Sequence, residues 1–176
     1  GNMRKAVFCL SVMLCLAALA VSAGCGNEGT RGYTGENITS INIFMQESGS
    51  FYAPDGIALI RSARELENFK KTCEEGRLLG EYGRENFEEV IGGYGRKFFA
   101  EGELIVLFID QPSPCHDSEV ADISIGDETV DIDVNIGLPG GEDICFTVMM
   151  QDIHFIELPK NFCGDKELRI KYHVIE

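Results

Sequence analysis

An α+β fold, mainly antiparallel β-sheet or sandwich with two short helices in its first half, is the architecture this sequence predicts. Three observations lead there. Helical periodicity is confined to the stretch before Gly92. From Leu104 onward, apolar residues come in short blocks or alternate with polar ones. Turn residues separate those blocks at short intervals, which favours antiparallel neighbours and groups the helices apart from most strands.

Taken in order, Ile41, Ile43 and Met45 alternate with Asn42, Phe44 and Gln46, the period of a strand. Ser48-Gly49-Ser50 and Pro54-Asp55-Gly56 mark turns, and Ile57 to Ile60 is a second short strand. Ser62-Ala63-Arg64-Glu65 is a capping box, with a hydroxyl for the N3 amide and a carboxylate to reach back. Leu66, Phe69 and Cys73 then share one helical face. Arg84 to Ile91 predicts a second helix with Phe87, Val90 and Ile91 inward. Gly92-Gly93 should end it in the left-handed conformation. Leu104 to Ile109 is apolar on both faces, so it is expected as a central, covered strand, broken by Gln111-Pro112-Ser113-Pro114. Val120 to Ile125 and Thr129 to Ile136 form a hairpin around Gly126-Asp127-Glu128. Ile144 to Leu158 is one bent strand or two. Leu168, Ile170, Tyr172 and Val174 alternate with Arg169, Lys171 and His173 in a half-buried last strand.

The amino end is read as an export signal. Gly1 and Asn2 precede Met3 and are set aside as appended residues. Met3-Arg4-Lys5 is a short basic head, and Ala6 to Ala23 carries no charge. Val21-Ser22-Ala23-Gly24-Cys25 places small residues before a cysteine, as in a bacterial lipoprotein signal, although Ser22 stands where Leu or Val is usual. Residues 1–24 are thus expected to be removed and Cys25 to carry lipid, anchoring the chain in the cell envelope through several acyl chains. Residues 25–37, rich in glycine and without apolar periodicity, read as a flexible tether, and residues 38–176 as a single α+β domain. The formal charge of −14 becomes two units more negative once Arg4 and Lys5 are lost. So acidic a surface argues against nucleic acid as a partner.

Outside the signal and Cys25, four cysteines are left, Cys73, Cys115, Cys145 and Cys163, and an even set in an exported domain allows two disulfides. Cys115 precedes the strand starting near Val120, which lies beside the end of its hairpin partner near Ile136, and the chain soon reaches Cys145. Cys115–Cys145 is therefore the favoured bridge, which leaves Cys73 with Cys163; thiols throughout are the alternative. Asp131, Asp133 and Asn135 alternate with Ile132, Val134 and Ile136, so they are expected on a wet strand face, with only weak cation binding open to them. There is no Cys-x-x-Cys and no His-Glu-x-x-His; no metal, cofactor or catalytic residue is expected.

Ser62-Ala63-Arg64-Glu65-Leu66, then Phe98-Phe99, Glu103-Leu104-Ile105-Val106, an alternating hairpin and a late strand ending near Pro159-Lys160 make a distinctive order. Over Ile57 to Val174 it resembles small lipoproteins of anaerobic bacteria whose C-terminal domain is similar to the PrcB C-terminal family of protease-complex proteins. Where that family often has a Gly-Gly-Tyr-like segment after the central strand, this chain has Cys115-His116-Asp117-Ser118. The resemblance implies an accessory component of a membrane-anchored protease complex rather than its peptidase, and it implies no catalytic residues. The expectation is a lipid-tethered binding module for another exported protein. The alternative is a small thiol-dependent or hydrolytic enzyme using Cys115 with a histidine.

Overall fold

The computed structural model describes residues 37–44, 56–75, 81–140 and 150–175, all within a unit spanning Arg31–Glu176. The elements run β1 (Ile38–Phe44), β2 (Ile57–Ile60), α1 (Ala63–Glu75), α2 (Glu81–Gly92), α3 (Phe98–Glu101), β3 (Gly102–Gln111), β4 (Asp117–Ile125), β5 (Thr129–Gly137), β6 (Met150–Pro159) and β7 (Glu167–Ile175). The fold is α+β and mostly β, as the periodicities predicted. The short helix α3 was not foreseen, because four residues are too few to show a period.

Two sheets form. The first has the order β1-β6-β3-β2 and is antiparallel throughout; the second has the order β4-β5-β7. Strand β3 explains the layering. It is apolar on both sides because both of its faces are covered, as expected. Leu104, Val106 and Phe108 point into a core with the helices, beside Leu66, Phe87, Ile91 and Phe155. Ile105, Leu107 and Ile109 point the other way, against Ile123, Val130, Ile132 and Val134 of the second sheet. The described residues of this unit thus form three layers, helices on a four-stranded sheet on a three-stranded sheet. Aromatic rings fill the helix side, with Phe69, Phe87 and Phe155 in a tilted chain at centroid distances of 6.3 and 5.8 Å.

The cap of α1 forms with one change. The Glu65 amide donates to Ser62 Oγ at 3.2 Å, but the Glu65 carboxylate accepts from the Arg61 amide at 2.7 Å, one residue upstream of the expected donor. The end of α2 corrects the expectation of a left-handed glycine. Gly93 N donates to the carbonyl of Val90 at 3.1 Å, a tight last turn, and the positive-φ glycines among the described residues are Gly56 and Gly164 instead. The hairpin β4–β5 is antiparallel as predicted, with a bulge between Val120 and Asp122. β7, however, pairs parallel to β5. The cause is topological: after β5 the chain crosses to the first sheet for β6, then returns, and two reversals leave β7 pointing along β5. Of the predicted stretch from Ile144, only Met150 onward falls among the described residues.

Candidate functional site

The alternation of β6 carries its polar residues into the interior. Ile153 and Phe155 face the helices, so Asp152 and His154 face the second sheet, 6 % and 1 % exposed. They meet partners from three other strands. Asn42 Nδ2 donates to Asp152 Oδ1 at 2.5 Å, and Gln111 Nε2 to Oδ2 at 3.1 Å. Ser118 of β4 spans the gap between sheets, its Oγ 2.5 Å from Asp152 Oδ2 and 2.8 Å from His154 Nε2. The remaining ring nitrogen, Nδ1, lies 2.7 Å from Ser40 Oγ.

The proton positions follow from counting donors. Ser118 has one hydroxyl proton, and an ionised carboxylate can only accept. That proton therefore goes to Asp152, and Ser118 Oγ accepts from His154 Nε2–H. Nδ1 then accepts from the Ser40 hydroxyl. Burial lowers the pKa of His154, and the nearby Asp152 charge opposes this. The neutral ring agrees with the assigned chain. Serine, histidine and aspartate are all present, yet they do not form a nucleophilic triad. There the carboxylate holds Nδ1 and the serine holds Nε2 alone. Here the carboxylate binds the serine itself, and a second serine holds Nδ1. The arrangement fixes the two sheets to one another at one end of the sandwich.

A second buried carboxylate, Glu103, sits at the opposite end of β3, 1 % exposed. Its Oε1 accepts from the Cys163 amide at 2.6 Å, and Arg61 Nε lies 3.4 Å from Oε2. Arg61 Nη2 also donates to the carbonyl of Gly164. The cluster ties the turn between β6 and β7 to the start of β3. Burial, and then the hydrogen bond and charge of Glu103, push the Cys163 thiol far above its ordinary pKa.

The sulfurs correct the expected bridge between Cys73 and Cys163. Both are buried thiols, and they lie in different cores: Cys73 among the helices, Cys163 between the sheets. The four-stranded sheet separates them, and a disulfide cannot reach across it. Cys115 is disulfide-bonded, so it is no thiolate nucleophile in this state. Its expected partner, Cys145, lies outside the described residues, as do Cys25 and the predicted signal. The Nδ1 of His116 is engaged by Ser113 Oγ at 2.8 Å.

Asp131 and Asp133 do line the outer face of the second sheet, but they are not vacant. Arg169 Nε and Lys171 Nζ lie 2.9 and 2.8 Å from the Asp131 oxygens, and His173 Nε2 lies 2.6 Å from Asp133. The hydrogen bonds from Lys171 and Arg169 hold the Asp131 carboxyl below its usual range. Among the described residues no group of three or more His, Cys, Asp or Glu gathers as a metal site would need. Nor, among them, is any helix long and apolar enough to cross a membrane.

The opposite face of β7 is different. Leu168 and Ile170 pack into the core between the sheets. Tyr172 and Val174 continue the same face but are 55 % and 64 % exposed, although Val134, the register partner of Tyr172, is fully buried. Ile175 and Leu138 are exposed beside them, joined by a hydrogen bond from the Leu138 amide to the Ile175 carbonyl. β7 is also an edge strand, paired on one side by β5. The result is an apolar tip next to an open strand edge. Its signal in the sequence was the alternation of β7 itself, but alternation does not reveal where a covering layer stops.

No family profile, no curated protein and no solved structure matches this chain.

Proposed function

We propose that this protein is a lipid-tethered module of the bacterial cell envelope that binds another exported protein as a non-catalytic accessory component. Membrane attachment would be through lipid on Cys25, on the outer face of the cytoplasmic membrane or on another envelope membrane. The observation that carries the reading is the apolar tip of β7. Tyr172, Val174, Ile175 and Leu138 stand exposed beside an edge strand whose outer backbone groups have no strand partner among the described residues. An extended segment of a partner can add to such an edge, taking backbone hydrogen bonds for affinity and side-chain contacts for selectivity. A protease complex is the partner assembly that the family resemblance suggests. The disulfide at Cys115 weighs against the thiol-enzyme alternative.

A photo-cross-linking residue placed at Val174, and separately at exposed Glu88 on α2, tests the reading in cells. Position 174 should give a discrete adduct with an exported protein, lost in Tyr172→Glu, and position 88 should give none. Equal adduct patterns from both positions would refute the proposed surface.

A further inference from the structure

At the end of the sandwich opposite that tip lies a cleft of about 700 Å³. Its volume is that of a small-molecule site. The loop from α2 to α3 forms one side, through Gly92, Gly93, Gly95, Arg96 and Lys97. The other side comes from the ends of β3 and β6, with Glu157, Leu158 and Pro159. Asn37, where the chain enters β1, lies on its rim.

Three features of this cleft bear on what it could hold. The first is its glycines. Neither Gly92 nor Gly95 has a positive φ, and a Cβ built on either meets nothing within 4 Å. Neither backbone conformation nor packing requires glycine there. Their bareness leaves open space and accessible backbone. The second is Arg96 and Lys97. Both are exposed, and neither makes an ion pair among the described residues, as is also true of Arg64, Lys71 and Lys160. The third is the balance of the lining. Two cations share the lining with two carboxylates, Glu101 and Glu157, and with Phe98, Leu158 and Pro159. Glu157 is held by the Tyr94 hydroxyl at 3.1 Å.

A simple anion would meet both carboxylates, and a simple cation would meet both basic groups. We infer that the cleft binds a zwitterionic phosphate ester of the phosphoethanolamine class, its phosphate on Arg96 and Lys97 and its ammonium on Glu101 and Glu157. The choice of a lipid-type headgroup rests on the tethered reading; Asn37, just before β1, is part of the lining. The glycerol end would lie on Phe98 and Pro159.

The test titrates the full-length chain in detergent with soluble glycerophosphoethanolamine, inorganic phosphate and ethanolamine, followed by NMR shifts or calorimetry. Glycerophosphoethanolamine should saturate the site, at least tenfold more tightly than phosphate or ethanolamine. Arg96→Glu with Lys97→Glu should weaken it at least tenfold. Gly95→Val should block it while leaving the melting temperature unchanged, because its side chain enters open space. Absence of saturation, equal binding of phosphate alone, or unchanged affinity in the charge-reversed variant would each overturn the proposal. Vesicles separate the sources. Enrichment on phosphatidylethanolamine over phosphatidylcholine assigns the headgroup to lipid. Binding of the soluble ester without that enrichment keeps the ligand class and overturns its lipid origin. The soluble assay needs neither acylation of Cys25 nor the β7 tip, so its failure is distinct from failure of the partner-binding reading.

Discussion

Removing the hydroxyl of Ser118 should destabilise the protein far more than removing that of Ser40, although both touch the same imidazole. Ser118→Ala deletes a hydrogen bond of 2.5 Å to a carboxylate that is 6 % exposed. It also strips the acceptor from the Nε2–H of a ring that is 1 % exposed. A bond to a charged group contributes about 1.5–3 kcal/mol, and an orphaned buried donor costs about 1–3 kcal/mol. The two losses overlap where the site relaxes, so the expected cost is about 2–4 kcal/mol. Ser40 is exposed, and water can replace its hydroxyl at Nδ1, so Ser40→Ala should cost under about 1 kcal/mol. Urea denaturation of both variants, with the disulfide intact, measures the difference. Imidazole nitrogen shifts of the parent protein should show the proton on Nε2. If the two variants lie within about 0.5 kcal/mol of each other, or the proton is on Nδ1, the assigned hydrogen-bond chain is wrong.

Further outcomes follow from the same geometry. The pKa of His154 is lowered in the fold, chiefly by burial, so the unfolded chain takes up its proton first as pH falls. The stability from neutral His154 is present above about pH 6.5 and is lost below it, as pH falls toward the folded value, at no more than about 1.4 kcal/mol per pH unit. His154→Gln should flatten that window in pH-dependent urea melts, and an unchanged slope would contradict it. The Cys163 thiol is buried and held protonated beside Glu103, so native protein should resist alkylation at this position until urea unfolds it. Peptide mapping showing rapid native labelling at Cys163 would disprove that burial. Gly56 has φ +69° and a Cβ there would sit 3.0 Å from the Phe108 carbonyl, so Gly56→Ala should cost about 1–3 kcal/mol. Gly95→Ala should cost much less, and thermal melts that rank the two the other way would refute the contrast.

Local chemistry was legible wherever one segment decided its own structure. The capping box announced α1, the two-faced apolar run announced β3, and the alternation of β4 and β5 announced their hairpin. What escaped depended on partners distant in sequence. Asp152 and His154 alternate with Ile153 and Phe155 in a stretch that the sequence shows only as one bent strand or two. In the fold both faces are covered, and the polar pair is made tolerable by Asn42, Gln111 and Ser118 from three other strands. Asp131 and Asp133 invited a search for cations, and the cations were there, on Arg169, Lys171 and His173. The matching rows Asp-x-Asp and Arg-x-Lys-x-His were visible, but nothing local said that β5 and β7 would be neighbours. Parallel pairing requires the chain to leave the sheet and return, and that excursion is a property of the whole topology.

That same excursion decides at which end of the domain the β7 tip lies. β1 starts at Ile38 opposite Ile156, near the end of β6 at Pro159. β7 ends at Ile175 beside Gly137, which pairs with Asp117 at the start of β4. Only a short link joins Asp117 to the end of β3 at Gln111, the end where β6 begins. The point of chain entry and the apolar tip therefore lie at opposite ends of strands ten residues long, about 30 Å apart. Had β7 paired antiparallel to β5, its exposed residues would have fallen at the end where the chain enters β1. Parallel pairing instead puts the β7 tip at the end of the strands opposite the cleft and the start of β1.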